Sequence, residues 1–145
     1  MNSNIGQEPR RAYGRWAEDV GFKIVSTPAG RYLRTPVGEI SFARIVRTLS
    51  DCQLLVGFVW FSDEENAAGY TSIASNDVVS GRAGIVWVRK IDEGCAQGIT
   101  PSARFAELLD IDMPEQFGHI AADSVQRIES LSRLRTLAKT VSFRV

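Results

Sequence analysis

Residues 52–62 read CQLLVGFVWFS, and how this stretch is read decides the fold. Both alternating sets of positions are apolar: Leu54, Val56, Phe58 and Trp60 on one, Leu55, Val59 and Phe61 on the other. The run is short for a buried helix and rich in β-branched and aromatic residues, so it reads as a strand covered on both faces. A second run, Gly84 to Ile91 (GIVWVRKI), has the same character and puts Trp87 in a second core strand. The two runs together predict the centre of one sheet, with the rest of the chain packed around it.

Working outward, the first eight residues form a loose polar tail, and 9–145 form a single domain. Over Pro9 to Val20, Ala12, Tyr13, Trp16, Ala17 and Val20 recur at helical spacing, and Gly21 stops the helix. Phe22 to Ser26 alternates as a strand. Thr27-Pro28-Ala29-Gly30 is echoed by Thr35-Pro36-Val37-Gly38, which predicts two turns around a short strand. Glu39 to Leu49 places Ile40, Ala43, Val46 and Leu49 on one helical face, with Phe42 beside them. After the central strand, Asp63 to Asn66 is an acidic turn and Gly69 to Ala74 a weaker strand. Asn76 to Arg82 reads as a turn-rich connection and Asp92 to Gly98 as a loop.

Thr100-Pro101 announces a helix, with Thr as N-cap and Pro at its first position. C-terminal helices therefore start near residue 101. Beyond a break at Asp112-Met113-Pro114 a helix is predicted to about Lys139, and Thr140 to Val145 alternates as an edge strand. The sum is an α+β fold: one antiparallel sheet of about five strands, helices on its face and a C-terminal helical segment. This element order resembles that of the profilin-like and PAS-like α+β folds, in which one antiparallel sheet carries helices on its face; function does not follow from fold.

Composition bounds the classes. With 44 % hydrophobic and 23 % charged residues, the 145-residue chain is globular and large enough for one core. Its longest apolar run is far short of the roughly 20 residues that span a bilayer. The N-terminus lacks the apolar core of an export signal, so a cytoplasmic location with Cys52 and Cys95 reduced is expected. Net charge is zero but uneven: residues 1–50 carry eight basic against four acidic side chains, 51–123 four against twelve, and 124–145 five against one.

The chemistry-bearing residues are sparse. Lys23, Lys90 and Lys139 follow Phe, Arg and Ala, so no phosphate-loop Gly-Lys-Ser/Thr is present. One His and two separated Cys do not make a zinc site, and the acidic pairs lack calcium-loop spacing. His119 and Cys95 are the sole ingredients of a nucleophile–base pair, with Cys95 in an exposed loop. The sequence therefore predicts no catalytic set, no metal and no cofactor.

The reading is a non-enzymatic regulatory or adaptor domain that binds a protein partner or a small ligand. The ligand pocket is placed between helix 39–49 and the strands carrying Trp60 and Trp87, with Phe42 on its helix side. The partner surface is the wide apolar stripe Ile128, Leu131, Leu134 and Leu137, suited to a homodimer or another protein. The alternative is a nucleic-acid-binding regulator using Arg127, Arg133 and Arg135, with the two helices after residue 101 as a helix-turn-helix.

Overall fold

The computed structural model describes residues 30–142. The expected helix over 9–20, the strand over 22–26 and the tail lie outside the described residues. The central strand is present as β2 (Gln53–Ser62), which pairs antiparallel with β1 (Ile40–Thr48) on one side and β3 (Ala67–Ser72) on the other. The outer edge of β1 is shared by two short strands, β4 (His119–Ile120) and β5 (Gln126–Ile128). The result is one antiparallel sheet of five strands and three helices, an α+β fold.

Both faces of the sheet are covered, as the apolar pattern of β2 requires. Helices α1 (Asp77–Ala96) and α2 (Pro101–Leu108) lie against the face carrying Ala43, Ile45, Val59 and Ala68. Helix α3 (Leu131–Thr140) lies against the face carrying Ile40, Phe42, Phe58 and Trp60. Strict alternation along β2 breaks in its middle. Ile45 pairs with Gly57 while Val46 pairs with Leu55, so Val56 is the extra residue of a β-bulge. The bulge moves Val56 to the α1 face with Val59, and leaves Leu55 on the α3 face with Phe58 and Trp60.

Two expected elements exchange identity. Residues 39–49 form strand β1, not a helix: Ile40 and Phe42 point to one face and Ala43 and Ile45 to the other, and a strand buried on both sides mimics three-residue spacing. Residues 84–91 lie inside the 20-residue helix α1, which also absorbs the expected connection at 76–82 and most of the loop at 92–98. Its buried stripe is Ser80, Ala83, Gly84, Trp87, Ile91 and Gly94, at helical spacing but largely of small residues. The small residues let the helix sit close to the sheet. The helix at 101 starts as expected, with the Thr100 side chain accepting the Ala103 N–H and Pro101 in the first turn. The predicted long helix after Pro114 is instead a turn, β4, a second turn and β5, with helix only from Leu131. Thr140 ends α3 and does not open a strand, and 143–145 lie outside the described residues.

β4 and β5 leave a gap opposite Arg44 that their own backbones do not fill. Ala121 N–H donates to Arg44 O, and the Ser124 hydroxyl accepts the Arg44 N–H at 2.8 Å while donating to Ala121 O. The buried serine thus completes the ladder that a continuous edge strand would have made.

Tyr70 joins three elements. A Cβ on Gly57 would lie 2.2 Å from its hydroxyl and a Cβ on Gly84 2.8 Å from its ring, so the tyrosine occupies space that only glycine leaves open on β2 and α1. We expect Gly84→Ala to destabilise the fold by about 1–3 kcal/mol through overpacking. Urea unfolding checks this, and the loss should shrink in a Tyr70→Ala background; equal losses in both backgrounds would dissociate Gly84 from Tyr70.

Burial raises the Tyr70 hydroxyl to about 12, and Tyr32 is likewise pushed up to about 12, first by burial. A phenol whose folded pKa exceeds its unfolded value of about 10 stabilises fully below that pH, and the contribution is lost as pH rises through about 12. The contribution of the two tyrosines should therefore be constant up to about pH 10 and fall above it. Tyr70→Phe should weaken that fall, as read from melting temperatures between neutral and alkaline pH.

Candidate functional site

The residues singled out in the sequence do not converge. Trp60 and Phe42 are buried under α3: the Trp60 ring covers Gly69, and Phe42 meets Phe58 edge to face at 5.6 Å between ring centres. Trp87 is buried on the opposite face of the sheet, in α1. The expected pocket between a 39–49 helix and two tryptophan strands is therefore replaced by two separate cores. Of the apolar stripe, Ile128 belongs to β5 and packs against the α3-side core, and Leu131 and Leu134 are buried in it. Leu137 alone of the four remains exposed, at 38 %.

The arginines are equally dispersed. Arg127 sits on β5 and hydrogen-bonds Glu39, whose carboxyl is held below its ordinary range by that bond. Arg133 faces Glu129 across one turn at 3.9 Å. Arg135 lies two positions further along α3, on another face, beside Lys139 at the wall of a groove along β3. The expected helix-turn-helix has no second helix at its place, because 119–128 is β4, a turn and β5.

Cys95 lies on α1, half-buried, and burial with Asp92 nearby pushes its thiol up, so it is a poor thiolate. His119 is on β4, at the wall of a depression shared with Arg47, Asp112 and Glu115. The acidic turn serves as an acceptor. Glu65 takes the Val37 and Gly38 N–H groups, and Asp63 takes the N–H and hydroxyl of Ser102 at the start of α2. Among the described residues no group of three or more His, Cys, Asp or Glu could hold a metal ion, and no helix is long and apolar enough to cross a membrane.

A different site emerges from the helix that the sequence concealed. A cleft of about 410 Å³ lies between the first half of α1, the end of β1 and the turn at 115–117. It is lined by Arg47, Val79, Arg82, Ile85, Gln116 and Phe117. Its size falls in the range of small-molecule sites, about 300–1,000 Å³. Each wall has a structural cause. The small-residue stripe of α1 faces the sheet, so the opposite side of the helix carries Val78, Arg82 and Ile85, with Val78 63 % and Ile85 65 % exposed. The 115–117 turn is pinned by the Trp87 indole, which donates to Phe117 O at 2.8 Å. Gly118 closes it at φ 78°, where a Cβ would lie 2.7 Å from Val46 O.

The cleft is also electrostatically unanswered. Arg34, Arg104, Arg127 and Arg133 each meet a carboxylate. Arg47 and Arg82 make no such pair among the described residues, and the Arg47 Nε–H is buried with no acceptor there.

No protein-family model, no curated protein and no solved structure matches this chain.

Neither Arg47 nor Ile85 is conspicuous in the sequence. The available signal was the Ser80-Ala83-Gly84-Trp87-Ile91 spacing: once read as the buried side of a helix, it makes Val78, Arg82 and Ile85 the outer side. If the Trp87 indole sets the cleft wall, Trp87→Phe should speed hydrogen exchange at the Phe117 and Gly118 amides while β2 amides stay slow. Unchanged exchange at the turn would mean that Gly118 packing alone holds it.

Proposed function

We propose that this chain is a non-enzymatic regulatory or adaptor domain that binds a small ligand or a segment of a protein partner in the cleft beside α1. The observation that carries the reading is the composition of that cleft: apolar walls from Val79, Ile85 and Phe117, with two arginines that make no ion pair among the described residues. Such walls and a few directed polar groups are what binding sites share. A nucleophile with an adjacent base, or two facing carboxylates, would favour catalysis instead, and the lining contains neither.

The cleft is also suited to signalling occupancy. Its three walls belong to β1, α1 and the 115–118 turn, so an occupant bridging them ties the end of β1 to the helix. The nucleic-acid reading draws less support. It needs several free cations on one surface, whereas Arg127 and Arg133 face acidic partners within the fold.

Native mass spectrometry of protein purified from its source cell tests the proposal, run beside Ile85→Glu. Ile85 is exposed, so the substitution should leave the fold intact, which a melting curve checks. A retained molecule or partner on the wild type that Ile85→Glu sheds supports the cleft. Retention that Ile85→Glu does not reduce, nucleic acid that salt strips away, or a bare wild-type protein would each overturn it.

A further inference from the structure

We infer that the cleft takes a small amphipathic oxyanion, a carboxylate or phosphate group on an apolar body, with Arg47 and Arg82 holding the anionic end. This rests on the cleft being the binding site, and adds the chemical class of what enters it.

The two arginines come from different elements, Arg47 from the end of β1 and Arg82 from the second turn of α1, yet both line this one cleft. A planar guanidinium matches the two oxygens of a carboxylate or phosphate and exchanges water for it more readily than an ammonium does. Arg47 makes no ion pair among the described residues, so the guanidinium it contributes to the lining has no carboxylate partner there to displace. The remaining lining explains why a bare ion is not the best fit. Val79, Ile85 and Phe117 offer apolar surface that only a hydrocarbon or aromatic body would cover.

Neighbouring charges set the balance between the arginines. Asp112 and Glu115 line the adjacent depression that shares Arg47, so part of the Arg47 charge is offset from that side. Asp77 in the first turn of α1 offsets the positive end of the helix, so the helix terminus is not the anion holder. Arg82 has no acidic side chain among the cleft residues, and it carries the larger share of the anion preference. The basic and apolar character continues along the outer side of α1, where Val78, Arg82, Ile85 and Arg89 follow at spacings of four, three and four.

Calorimetric titration with decanoate, decyl phosphate, decanol and decylammonium, each below its micelle concentration, tests this directly. Both anions should bind, and the tighter of the two identifies the head group as carboxylate or phosphate. Arg82→Gln should weaken anion binding about tenfold or more, the loss of a charge-assisted hydrogen bond, and leave decanol unchanged. Arg47→Gln should act in the same direction, and Ile85→Ser should weaken all ligands that bind. Exposed Arg82 makes its variant safe for the fold, so an unchanged anion affinity there would overturn the inference. Decanol binding as tightly as decanoate would also overturn it, while leaving the cleft as a binding site. If no amphiphile binds yet Ile85→Glu still sheds the natural occupant, the chemical class fails and the cleft stands.

Discussion

The fold depends on one side chain threaded through two glycines. Tyr70 leaves β3, crosses β2 at Gly57 and runs beneath α1 at Gly84. Its hydroxyl lies 2.8 Å from Ser80 O, 3.1 Å from Val56 O and 2.9 Å from Ser80 Oγ. The phenol has one proton for two carbonyls, and the Ser80 hydroxyl can supply the second bond by donating to it. Ser80 Oγ in turn accepts the Ile73 N–H at 3.0 Å, which fixes the chain where β3 hands over to the helix. Strand, bulge and helix start are therefore one hydrogen-bonded unit within an apolar core, where an unmade bond is costly.

That unit sets the height and rotation of α1, and the rest of the α1 face follows. With Ser80, Ala83 and Gly84 turned to the sheet, Trp87 comes down over Ile45 and Ile120 territory and reaches the 115–118 turn. Gly94, one stripe position further on, admits the Arg104 side chain from α2, whose Nε and Nη2 donate to Lys90 O at 2.9 and 2.6 Å. Arg34 closes the other flank, donating to Tyr32 O and Ala68 O and pairing with Asp92 on α1. The cleft on the outer side of α1 is thus a consequence of what the inner side holds.

The sequence made this arrangement partly legible, and the limits have physical causes. β2 was readable because residues 54–61 include no polar or charged residue that could form the wet face of a helix, whereas Arg44 and Arg47 gave β1 one. The Thr100-Pro101 start was readable because capping is local chemistry. β1 and α1 were exchanged because each carries the other's signature. β1 alternates between two apolar faces, which fills helical positions with apolar residues. α1 buries Ser, Ala and Gly, which a hydrophobic scan discounts, and exposes Val78 and Ile85, which it favours. The same substitution of packing for hydrophobicity hid the cleft, since its residues lie on the outer side of a helix that had to be recognised first. The broad C-terminal stripe misled for a related reason. Ile128 precedes the helix, and Leu131, Leu134 and Ala138 suffice to cover the sheet.

The charge pattern takes its meaning from pairing. Part of the acidic middle of the chain is committed to fixed donors. Asp63 answers the start of α2, Glu65 answers the turn at 37–38, Asp92 answers Arg34, and Glu93 and Glu107 answer the buried Arg104. Each of these carboxylates meets a fixed donor from a segment other than its own, apart from the Arg104–Glu107 pair within α2, so they hold the chain's segments together. What remains unanswered decides the surface that a partner meets. With Arg47 and Arg82 making no carboxylate pair among the described residues, and with exposed Ile85 beside them, a chain of zero net charge presents a positive, apolar cleft.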